Sequence, residues 1–141
     1  MTDQIGRTVV ALLALLALPS PSHAGREIYT CQIIDRFAVS PTGRFLDATR
    51  GAVGGTTRGM KFVVVRETGR VQGNAPIGFG SEAAPRVLQR GNEETFFIAM
   101  YLGKKNNYAS LEAIWVEESS PARKKPFMAA EAGFVYTGTC E

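Results

Sequence analysis

The stretch Glu27-Ile28-Tyr29-Thr30-Cys31-Gln32-Ile33-Ile34 decides how the rest of the chain is read. It holds one of the two cysteines in 141 residues, and the other, Cys140, is the penultimate residue. One intramolecular bond is open to such a chain, and it ties the first strand to the last. Tyr29, Cys31 and Ile33 alternate with Thr30 and Gln32, the period-two spacing of a strand with one covered face. Continued over residues 27–40, the same period puts Phe37 and Val39 on the face of Cys31. Asp35 interrupts that face, as a bulge or a bend would.

Upstream, a charged start that includes Asp3 and Arg7 precedes an apolar run at residues 8–18, and Ser22-His23-Ala24 closes the segment. These are the three parts of a secretory signal peptide, with small residues at the two positions a signal peptidase reads. Residues 1–24 are therefore expected to be removed after Ala24, leaving residues 25–141 as one domain in the periplasm or outside the cell. About 11 apolar residues fall short of the roughly 18 to 20 that a spanning helix needs, so no membrane span is expected. Asp3 and Arg7 cancel, so the formal charge stays at +3. In an oxidising compartment a cysteine pair persists as a disulfide, and Cys31–Cys140 is expected to form.

Downstream, runs rich in Val, Ile, Phe, Tyr and Thr are separated by Gly, Pro, Asn and Ser clusters, the signature of many short strands. Pro41-Thr42-Gly43-Arg44 reads as a turn. Residues 45–47 begin a second strand, and the glycine-dense segment 50–59 is a surface loop that lacks the Gly-Lys-Ser/Thr ending of a phosphate cradle. Residues 60–66 form the clearest strand, with Phe62-Val63-Val64-Val65 apolar on both faces. A turn at residues 67–70, a loop at 73–84 and a short strand at 86–90 follow. Residues 94–103 and 108–118 form a long hairpin across Lys104-Lys105-Asn106-Asn107. After the polar loop 119–125, Phe127 and Met128 open another strand, and residues 133–140 are the last. Seven or eight strands at this spacing indicate an all-β, single antiparallel barrel or sandwich. Bonded cysteines need Cβ atoms about 4 Å apart, so the terminal strands lie side by side, which favours a barrel closed by the terminal disulfide.

Much chemistry is excluded by what the mature chain lacks. Its one histidine, His23, leaves with the signal peptide, and both cysteines are committed to each other. Ser-His-Asp and Cys-His nucleophiles, histidine or cysteine metal sites and a thiolate are all absent. Glu93-Glu94 and Glu117-Glu118 are adjacent pairs, and neighbours in a strand face opposite ways, so neither forms the facing carboxylates of a glycosidase. Asp35 is the one carboxylate expected to face inward, and a bond to Arg36 or Arg44 explains it without catalysis. The chain is read as a non-enzyme with no cofactor. Its basic residues gather in turns (Lys104-Lys105, Arg123-Lys124-Lys125) and at Arg86 and Arg90, a pattern of solvated edges and not of a nucleic-acid surface.

The Tyr29-Thr30-Cys31 start and the Gly138-Thr139-Cys140 end resemble those of the small periplasmic β-barrel inhibitors of C-type lysozyme. In that family a late cysteine is bonded to such a start across the closing strands. The resemblance implies a disulfide-closed barrel and, as an activity, inhibition of an extracellular hydrolase. The Ser-Gly-x-x-Tyr loop that carries inhibition there has no counterpart, since Thr42-Gly43-Arg44-Phe45 and Thr68-Gly69-Arg70-Val71 are turn glycines. In general character the chain is also similar to small exported bacterial β-barrel proteins of unknown function. Two roles are therefore expected. One is protein–protein interaction, including inhibition of an extracellular hydrolase such as lysozyme, through loops 50–59 and 73–84 with Arg50, Arg58, Ile77 and Phe79 as contacts. The alternative is a small-ligand carrier with a pocket lined by Phe62, Phe96, Met100 and Trp115, for a barrel of eight strands either fills its interior or holds one ligand. Bulky inward residues favour the interaction role.

Overall fold

The structure is a computed structural model and describes residues 27–48, 57–75, 84–105 and 108–141. Residues 1–24, expected to be a signal peptide, and the loop residues Arg50, Ile77 and Phe79 lie outside the described residues. Nine strands run in chain order: β1 (Ile28–Val39), β2 (Phe45–Asp47), β3 (Lys61–Val65), β4 (Val71–Gly73), β5 (Arg86–Asn92), β6 (Thr95–Lys105), β7 (Tyr108–Val116), β8 (Lys125–Glu131) and β9 (Phe134–Cys140). They form one antiparallel sheet in the order β4-β3-β1-β9-β8-β7-β6-β5, with β2 paired to β1 beyond the end of β3. Among the described residues there is no helix.

The terminal strands are neighbours, and they sit in the middle of the sheet. Cys31 and Cys140 are direct cross-strand partners with Cα atoms 4.0 Å apart, and their disulfide spans 109 positions of sequence. The sheet therefore curls about its disulfide-bonded centre into a half-barrel. Its outer strands, β4 and β5, share no ladder among the described residues. Side chains join the two ends instead. The guanidinium of Arg66, just after β3, donates to the carbonyls of Arg90 and Gly91 on β5 at 2.8 and 2.6 Å and to the Glu118 carboxylate at 2.9 Å. Burial raises the pKa of that carboxyl and lowers that of the guanidinium, which the nearby charge of Arg90 lowers further. Tyr101 on β6 donates its hydroxyl to the Gly69 carbonyl in the β3–β4 turn at 2.8 Å, and burial pushes its pKa up to about 12. A Cβ on Gly69 would come within 2.9 Å of Ala99, so only glycine lets the turn settle against β6.

The core is built of large side chains. Phe62, Phe97, Ile33, Ile114, Val64, Val116 and the disulfide are fully buried, with Phe62 edge-on to Phe127 at 5.4 Å and Tyr29 tilted against Phe97 at 5.2 Å.

The alternation of β1 changes at a bulge. Ile33 pairs with Gly138 and Asp35 with Thr137, so Ile34 is an extra residue without an opposite number. One inserted residue exchanges the two faces beyond it. Phe37 and Val39, expected beside Cys31, turn outward, where Phe37 stacks edge-on with Phe45 at 6.2 Å. Arg36 turns inward and is only 8% exposed, its guanidinium 3.9 Å from the centre of the Phe134 ring. Asp35, expected to face inward, is turned to the outer side by the same bulge and is bonded to Arg58 at 2.7 Å, not to Arg36 or Arg44. Opposite the bulge the strands close in, and a Cβ on Gly138 would lie 2.0 Å from the Gln32 carbonyl oxygen and 2.6 Å from the Phe127 ring.

Two stability predictions follow from this arrangement. Replacing both cysteines by serine frees a loop of about 100 residues in the unfolded chain and lowers stability by roughly 4 to 5 kcal/mol in the chain-entropy model. Urea unfolding of the oxidised and reduced protein measures this, and coincident midpoints would contradict it. Gly138→Ala forces two backbones apart and costs about 3 kcal/mol, at the upper end for overpacking; a wild-type midpoint would show that β1 and β9 do not approach as described.

Candidate functional site

In a half-covered antiparallel sheet one face packs on the core and the other is ordinarily polar. Strands β6, β7 and β8 depart from this. Their inward residues are Phe97, Ala99 and Tyr101, then Glu112, Ile114 and Val116, then Phe127 and Ala129. The outward residues are also apolar: Phe96, Ile98, Met100 and Leu102 on β6, Leu111, Ala113 and Trp115 on β7, Met128 and Ala130 on β8. The register lines them up across the strands. Ile98 faces Trp115 and Trp115 faces Met128; Met100 faces Ala113 and Ala113 faces Ala130; Leu102 faces Leu111. Leu102 and Leu111 are 60% and 59% exposed, and Phe96 and Met128 are each 43% exposed. Exposed apolar side chains scattered singly are ordinary on a protein surface, whereas a contiguous patch marks a contact site.

At one end of this face lies an open hollow of about 470 Å³, lined by Phe96, Ile98, Trp115, Glu117, Pro126, Phe127 and Met128. Its floor is the cross-strand line Ile98–Trp115–Met128, and Phe96 and Pro126 stand at its sides. Glu117 is its one charged residue. The Glu117 amide donates to the Pro126 carbonyl at 2.8 Å, and its carboxylate accepts the Ser119 hydroxyl at 2.6 Å, which together hold the side chain at the rim.

The residues expected to line an interior pocket are divided between the two faces. Phe62 is inside, packed in the core. Phe96, Met100 and Trp115 are outside, and of the four only Phe96 and Trp115 share the hollow. Strict alternation along β6 and β7 requires this division once Phe97 and Ile114 occupy the interior. Arg58, expected as a loop contact, folds back on the β1 bulge, donating to the Ile34 carbonyl at 3.0 Å and to Asp35.

The structure also buries two charged residues that sequence reasoning did not place inside. Arg36 and Glu112 both point inward, and Glu112 is 3% exposed. Burial raises the pKa of the neighbouring Tyr136 hydroxyl, against a lowering by the charge and hydrogen bond of Arg36. Such a charge among aromatic rings is held by cation–π attraction and by its own methylene stem, a structural use of an arginine. Among the described residues no three His, Cys, Asp or Glu side chains come together as metal ligands do. The outer face of β6–β8 is thus the arrangement best suited to meeting another molecule.

No family model matches the sequence, and no curated protein or solved structure matches the chain.

Because Trp115 is half-buried on the outside while Phe97 is fully buried inside, Trp115→Ala is expected to cost about 1 to 2 kcal/mol and Phe97→Ala about 3 to 5 kcal/mol. Urea unfolding ranks them; equal losses would place Trp115 in the core.

Proposed function

We propose that this chain is an exported, non-enzymatic binding protein that acts through protein–protein contact on the outer face of β6–β8. The observation that carries the reading is the continuous apolar surface from Leu102 and Leu111 to Met128, laid out in register on three adjacent strands. Burying such a surface is worth about 25 cal/mol per Å², and aromatic and methionine side chains are the ones enriched at contact surfaces. The Cys31–Cys140 disulfide points to an oxidising environment, consistent with residues 1–24 acting as a signal peptide and with residence in the periplasm or outside the cell. From the likeness of the two chain ends, an extracellular hydrolase such as lysozyme is the first partner class to examine. A small-ligand carrier is the second reading, and the hollow beside Trp115 supports it by a volume within the roughly 300 to 1,000 Å³ of ligand sites. Its position on the outside of the sheet makes it a better seat for a partner's side chains.

A photo-crosslinking amino acid placed at Met128 in the native host tests the proposal. A discrete adduct with another exported protein is expected from position 128 and not from Gln32, on the outer side of β1. Equal adducts from both positions, or none from 128, would contradict it.

A further inference from the structure

The hollow is apolar except for one carboxylate, and no ion pair among the described residues neutralises it. Among the described residues three ion pairs are present, Arg58–Asp35, Arg66–Glu118 and Lys124–Glu141, and Glu117 belongs to none of them. Lys125, the cation just across the loop, donates its ammonium to the Ser120 carbonyl instead. The Ser119 hydroxyl occupies one oxygen of Glu117, so the second is available at the rim. Glu117 is thus the one charged residue lining the hollow beside the rings of Trp115 and Phe96.

We infer that the hollow receives a lysine or arginine of a protein partner together with an adjoining aromatic or branched apolar side chain. This rests on the docking face proposed above and names what that face selects. Long basic side chains lay their methylene stems along apolar surface and keep the charged head in water, which fits the apolar floor Ile98–Trp115–Met128 with Glu117 to one side of it, just past the end of β7. A cation over an indole or phenyl face is attracted by the ring's electron-rich face, and an exposed ion pair adds a further modest attraction. The apolar neighbour fills the remaining space against Phe96 and Pro126. A second copy of this chain is disfavoured as the occupant, because two molecules of like net charge would be brought together.

Trp115 is the only tryptophan in the chain, so its fluorescence reports on the hollow alone. The folded, oxidised protein is titrated with two capped dipeptides, Ac-Phe-Arg-NH2 and Ac-Phe-Gln-NH2. The arginine peptide is expected to shift Trp115 emission saturably, and the glutamine peptide to bind about fivefold more weakly. Glu117→Gln, which keeps the bond to Ser119, should remove that difference. Raising salt to about 0.5 M, where the Debye length is roughly 4 Å, should weaken the arginine peptide on the wild type and not on the variant. Circular dichroism and urea unfolding confirm that the variant is folded. Equal binding of both peptides to the wild type, unchanged preference in Glu117→Gln, or no saturable shift with either peptide would overturn the inference. The Met128 crosslink is read separately: an adduct there without any dependence on Glu117 retires the cationic preference and keeps the docking face.

Discussion

The pairing of β1 with β9 is the constraint on which the rest depends. It joins residues at opposite ends of the domain, so its closure entropy is among the largest any contact in the chain can carry. The disulfide removes much of that cost by holding the two strands near each other even in the unfolded chain. With the ends fixed side by side at the centre, each half of the chain builds outward in its own direction. β3 and β4 extend the sheet from β1, and β8, β7, β6 and β5 extend it from β9. A bulge at Ile34 accommodates the curl, and Gly138 lets the strands meet where the bulge brings them closest.

A sheet built outward from its middle ends in two edges that must be managed. β4 has only three residues, and β5 is bulged between Val87 and Gln89 and carries the exposed Arg86 and Arg90. Arg66, Glu118 and Tyr101 then draw the two edges toward each other without ladder hydrogen bonds. The half-barrel is consequently covered on its concave side and open on its convex side. Single apolar residues such as Ile34, Phe45 and Leu88 are exposed elsewhere, but over β6–β8 the exposed apolar residues Phe96, Leu102, Leu111 and Met128 lie on three adjacent strands. Trp115, Phe96 and Met128 contribute less to the core than Phe97, Ile114 and Phe127 beside them, which is the ground for the proposed contact with another molecule.

Much of the architecture was legible. Two cysteines at the two ends, period-two runs and turn clusters suffice for an antiparallel β fold with adjacent terminal strands, and Asp35 marked the bulge. The consequence of the bulge was not legible in the same way, because alternation continued through it assigns Phe37 inward and Arg36 outward. Only the register with β9 reverses them. The β6–β7 hairpin posed a different difficulty. Phe96, Ile98, Met100 and Leu102 match Phe97, Ala99 and Tyr101 in apolarity, so period two separates the faces without saying which one is covered. That ambiguity was itself the signal of an apolar outer face. Glu117 gave no sign of its setting, since its place at the hollow depends on Pro126 and Ser119, which arrive from the next loop and strand.

The central claim is that the convex face of β6–β8 is covered by a partner where the protein works. Hydroxyl-radical footprinting of Phe96, Trp115 and Met128, compared between the purified protein and the protein in its native compartment, tests it most directly. The account predicts strong labelling of all three in the purified protein and protection in the compartment, with outer residues of β1 labelled alike in both. Equal labelling of the β6–β8 face in the two settings would contradict it.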